Sequence, residues 1–157
     1  MNKITDNLKL GTVGELLVQL RLLEFDVQAA PPLKDTGNDL IAIRGTAMRA
    51  IQVKATKIEE EGYRIRAGDL PQLYHALAIV KLEGDEHSLH LDESRVFLIA
   101  KDDIRNGRCS EDDLQQHVLS AELVDRLFPR YASEEENDRR SYSLADQTGR
   151  TEQECVS

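Results

Sequence analysis

The chain has 157 residues, 31% of them charged and 40% apolar, and a formal net charge of −9. That is room for one domain with its own core, and no apolar run approaches the length of a membrane span. The opening MNKITDNLKL lacks the apolar stretch of an export signal, and Cys109 and Cys155 lie far apart without metal-type spacing, so a reducing cytoplasm is the expected setting.

The first predicted element is a helix over residues 8–24. Leu10, Val13, Leu16, Leu17, Leu20 and Leu23 recur at three- and four-residue spacing as one apolar stripe. Gly11, Val18 and Leu22 form a second, narrower stripe on roughly the opposite side, so the helix is expected to pack on both. Glu15 falls within that second stripe, where a carboxylate is unusual. Gly11-Thr-Val-Gly14 lacks the spacing and terminal lysine of a phosphate loop and reads as a close helix contact. A short strand at 27–30 runs into Pro31-Pro32, which blocks further regular pairing.

Strands are predicted at 39–44 and 48–56, joined by a turn at Gly45, and again at 63–67. Asp69 is placed to cap a short helix through residue 73 or beyond. Residues 76–82 and 95–100 read as buried strands with an edge strand at 88–91 between them. Ser110-Glu-Asp-Asp113 has capping-box spacing and opens a helix toward residue 119. A further helical segment at 120–128 is stopped by Pro129. The order predicts an α/β domain, a mixed β-sheet flanked by helices, over residues 1–131. Residues 132–157 are polar and almost without large aliphatics, and read as a disordered acidic tail.

Side chains alternate faces along a strand. Ile51, Val53 and Ala55 therefore share one face, Gln52 and Lys54 the other, and Asp39 stands at the mouth of the preceding strand on the face of Ile41 and Ile43. Taken singly, each of these polar residues reads as part of a solvated sheet surface. Taken together, a carboxylate, an amide oxygen and a lysine on adjoining strands suit a site for Mg²⁺ or Mn²⁺ and a phosphate, because hard cations take oxygen ligands and an ammonium neutralises charge on phosphorus. Glu15 is placed to close such a site from the helix.

The run Asp35-x-Gly37-x-Asp39-Leu-Ile, followed thirteen residues after Asp39 by Gln52-Val53-Lys54, resembles the core of the PD-(D/E)XK nuclease superfamily. It looks closest to the branch of restriction endonucleases and repair nucleases with glutamine in the third motif position. The resemblance implies a restriction-endonuclease-like fold and metal-dependent phosphodiester hydrolysis. It makes Asp39 the principal metal ligand, Gln52 a neutral ligand or outer contact, Lys54 the residue that positions water, and Glu15 an auxiliary ligand.

Charge is unevenly spread. Residues 1–66 hold ten Lys/Arg against nine Asp/Glu, residues 67–132 seven against thirteen, and residues 133–157 three against seven. The acidity thus lies outside the half with the motif, and DNA remains the expected partner, met by Lys34, Arg44, Arg49 and Lys57 around the site. A homodimer would double that surface. The competing reading is a nuclease-fold protein that does not cut and serves as an interaction module, its acidic second half binding a protein.

Overall fold

The computed structural model describes residues 6–34, 37–57, 61–84 and 88–130. The tail expected at 132–157 lies outside them, as does Asp35. Helix α1 (Asp6–Leu23) leads into strand β1 (Gln28–Ala30). The Leu22 carbonyl accepts from the Phe25 and Val27 amides at 3.0 and 3.1 Å, and Asp26 between them has φ 61°. That left-handed residue stops the helix and turns the chain back.

Strands β2 (Leu40–Arg44) and β3 (Ala47–Lys57) form a hairpin through Gly45, at φ 57°. There follow β4 (Tyr63–Ile65), a 3-10 turn at Ala67–Asp69, β5 (Ala76–Gly84) and β6 (Leu89–Ala100). A second 3-10 turn at Lys101–Asp103 leads to β7 (Gly107–Cys109), α2 (Glu111–Gln115) and α3 (Ala121–Leu127). The main sheet has the order β1-β2-β3-β5-β6, with β3 and β5 parallel and the other neighbours antiparallel; β4 and β7 make a separate ribbon. This is the mixed sheet flanked by helices that the element order predicts.

The two sheet faces are covered unequally. On one, Leu40, Ile51, Val53, Ala78, Val80 and Leu98 are buried under α1 and α3, which contribute Leu17, Val18, Leu22, Val124 and Phe128. On the other, Leu77, Ile79, Phe97 and Ile99 are sealed by Ile65 of β4 and Leu114 of α2. Each fully buried Leu, Ile or Phe is worth about 1.5–3 kcal/mol. The β2–β3 half of this second face keeps Ile43 and Met48 exposed and Lys54 only half-buried.

Four expectations need correction. Helix α1 packs on one side: Val18 and Leu22 face the sheet together with Leu17, whereas Leu16, Leu20 and Leu23 of the main predicted stripe are 59%, 51% and 59% exposed. Gly14 explains the choice, since a Cβ there would lie 2.7 Å from that of Ala55, and the missing side chain lets α1 settle on β3 by this face. Asp69 caps no helix; it ends the 3-10 turn, with its amide bonded to the Arg66 carbonyl at 3.0 Å.

The strands predicted at 88–91 and 95–100 are one, β6, with a register shift against β5 between Lys81 and Glu83. Buried Ser94 spans the irregularity, its hydroxyl accepting from the Glu83 amide at 2.9 Å and donating to the His90 carbonyl at 2.8 Å. The helix opened by Ser110 carries the expected capping box but ends at Gln115. Its continuation is spent on the outer edge of β6, where the Leu98 amide bonds the His117 carbonyl at 2.8 Å and the Leu119 amide bonds Val96 at 3.2 Å. Covering an edge outweighs lengthening a helix.

Candidate active site

Register places Asp39 against Gln52. Leu40 pairs with Ile51, and one step beyond the strand end the Asp39 amide donates to the Ile51 carbonyl at 3.2 Å. Just past that bond the Asp39 side chain takes over the ladder. Its Oδ2 accepts from the Val53 amide at 2.6 Å and from Gln52 Nε2. The carboxylate is thereby fixed at the margin of the sheet, between the face of Gln52 and the face that carries α1.

The approach to Asp39 is held by Asn38, a residue that sequence reasoning passed over. Its Nδ2 donates to the Leu73 carbonyl at 2.7 Å, tying the start of β2 to the loop before β5. Gly37, at φ 79°, supplies the left-handed backbone that the turn into it requires. An Asn beside the motif aspartate after a Gly was the available signal.

Gln52 is 6% exposed. Because an ionised carboxylate only accepts, the amide must present Nε2 to Asp39, which commits Oε1 to the other direction. That oxygen is buried without a hydrogen-bond partner. An orphaned buried acceptor costs about 1–3 kcal/mol, and a cation or a donor from a ligand would satisfy it.

Glu15 reaches the same place from α1. Burial raises its carboxyl above the ordinary value, and the negative charge of Asp39 raises it further. The Gly14 contact with Ala55 brings this turn of the helix down onto β3. Lys54 lies two residues beyond Gln52 on the same face, half-buried on the uncovered part of the sheet. Thr56, buried, continues that face opposite Lys81.

The structure thus brings Glu15, Asp39 and Gln52 together and puts Lys54 on the face of Gln52. The basic residues expected to meet a phosphate backbone are dispersed. Arg44, at the far end of β2, pairs with Asp125 of α3 at 2.5 Å and donates to the Phe128 carbonyl at 3.4 Å, so it braces the helix. Arg49 shares its sheet face and donates to the Met48 carbonyl at 2.9 Å. Lys34 is exposed, and Lys57 ends β3 half-buried.

Asp39, Glu15 with its raised carboxyl, and the orphaned amide oxygen of Gln52 are oxygen donors of the kind that hard cations take. The donor set fits Mg²⁺ or Mn²⁺ with phosphate and water completing the shell. Among the described residues no three His, Cys, Asp or Glu side chains form a group that could hold a metal ion by themselves. No helix among them is long and apolar enough to cross a membrane.

No protein-family model matches the chain, and no curated protein matches it. Among solved structures, the bacterial homing endonuclease I-Ssp6803I is similar over 96% of this chain and 100% of its own, at 14% identity and a TM-score of 0.45. A likeness so distant carries no argument about activity. The functional reading rests on the residues.

Proposed function

We propose that the chain is a metal-dependent nuclease of the PD-(D/E)XK kind, hydrolysing phosphodiester bonds in DNA. The supporting observation is the buried Oε1 of Gln52, unpartnered beside a carboxylate pair. Asp39, Gln52 and Glu15 would hold Mg²⁺ or Mn²⁺, Asp39 through the carboxylate that the Val53 amide orients and Gln52 through Oε1. The ion would supply positive charge at the scissile phosphate and acidify water. Lys54, about 7 Å along the strand from Gln52, orients the attacking water and offsets charge gathering on the phosphate oxygens. The open β2–β3 half of the sheet leaves room for the substrate, while β5 and β6 are covered.

Cleavage of single-stranded, duplex and branched DNA, assayed with Mg²⁺ and Mn²⁺, tests the reading. Wild-type protein should cut at least one form, and Asp39→Asn and Lys54→Ala should not. If purified wild type cuts none of them, the enzyme reading is lost. The non-cutting interaction module, which the short supply of carboxylates favours, then replaces it.

A further inference from the structure

The solvent face of α1 carries a pattern that the fold does not use. Leu16, Leu20 and Leu23 are each more than half exposed, although the other side of the helix is buried against the sheet. With Lys9, exposed, and Val13, at the core margin, they fall at spacings of four, three, four and three. That is the a/d spacing of a helix–helix seam, held over two heptads, on a helix whose sheet-facing residues follow a different stripe. Scattered exposed leucines need no explanation, but three on one seam do.

We propose that this face is a self-association surface, α1 of one chain packing antiparallel against α1 of a second copy. The seam is symmetric about residue 18, so Val13 meets Leu23 of the second copy, and Leu16 meets its Leu20. A two-fold contact requires such self-complementarity. Charge selects the direction. Antiparallel packing brings Lys9 within a turn of the second copy's Glu24, whereas parallel packing sets Lys9 against Lys9 and Glu24 against Glu24.

Other occupants fit worse. Residues 131–157 offer Leu144 and Val156 as their only large aliphatics, twelve positions apart, which cannot fill a two-heptad seam. A net charge of −9 and one lysine on the seam give an anionic lipid surface no purchase. One helix pair is a small interface, so the affinity should be roughly micromolar.

The inference does not use the Asp39 site, so failure to cleave DNA leaves it standing. Sedimentation equilibrium of the full chain, from low to high micromolar concentration, tests it. Wild type should pass from monomer to dimer. Leu20→Glu should stay monomeric with an unchanged melting temperature at low concentration, because that side chain is outside the core. Lys9→Glu should weaken the dimer about two- to five-fold for each pair lost, and Lys9→Glu with Glu24→Lys should restore it. A wild type that is monomeric throughout overturns the proposal, as does a dimer that survives Leu20→Glu. A double charge variant no tighter than Lys9→Glu overturns the antiparallel arrangement.

Discussion

Two polar clusters flank the sheet, and they treat buried charge in opposite ways. Lys81 is 1% exposed under α2, yet it is answered by Glu111, which Arg95 also meets at 2.9 Å. The hydrogen bond from Lys81 holds the Glu111 carboxyl below its ordinary value, with both cations adding to it. At the other cluster, burial and Asp39 push Glu15 up, and the Gln52 carbonyl oxygen has no donor. The first cluster sets its carboxylate between two cations; the second sets two carboxylates near one another. The chain thus answers charge under α2 and sets like charges together beside β3, a contrast that the proposed cation site would explain.

The largest effect should come from unbalancing the first cluster. Glu111→Gln takes the carboxylate away from buried Lys81 and should cost about 3 kcal/mol in urea unfolding, the scale for breaking a buried pair from one side. Adding Lys81→Met should recover most of that loss. The stability that wild-type Glu111 contributes is present above its ordinary value of 4.5 and is lost as pH falls through its lower folded value. A Glu111→Gln loss near zero would remove the contrast between the clusters.

A second, smaller effect concerns how Glu15 is brought to Asp39. Gly14→Ala drives a methyl to 2.7 Å from the Ala55 Cβ and should cost about 2 kcal/mol through overpacking. Gly11→Ala meets nothing within 4 Å and should gain about 1 kcal/mol of helix propensity. Equal effects at the two glycines would show that α1 does not depend on the close approach.

Glu15→Gln should give the smallest change, and in the favourable direction. With its folded pKa raised, Glu15 contributes fully below its ordinary value of 4.5 and loses that contribution as pH rises through the folded value. The metal-free variant should therefore melt above wild type at neutral pH and together with it in acid. A variant that melts lower at neutral pH would mean that Glu15 is already satisfied.

Much of this was legible in the sequence. Period-two alternation places Ile51 and Val53 on one sheet face and Gln52 and Lys54 on the other, as found, and the capping box at Ser110 forms as spaced. The pairing of Asp39 with Gln52 was not legible, because register depends on where the hairpin closes. Nor was the burying side of α1: Leu16, Leu20 and Leu23 are as apolar as Leu17 and Leu22, and the choice turned on the bare surface at Gly14. Arg44 illustrates a third limit. Its charge suggested a phosphate, but the structure sets it beside Asp125, eighty-one residues away in sequence.

The central claim, that the Asp39 cluster awaits a cation, is tested most directly by melting wild type and Gln52→Glu across a titration with Mg²⁺ or Mn²⁺ at neutral pH. Gln52→Glu removes the Nε2 donor from Asp39 and sets a third carboxylate beside the other two, so the metal-free variant should melt below wild type. Added metal should raise both melting temperatures by mass action, the variant's more, because a carboxylate binds a hard cation better than an amide oxygen does. If metal leaves both melting curves where they were, the carboxylates do not form a cation site and the account is wrong at its centre.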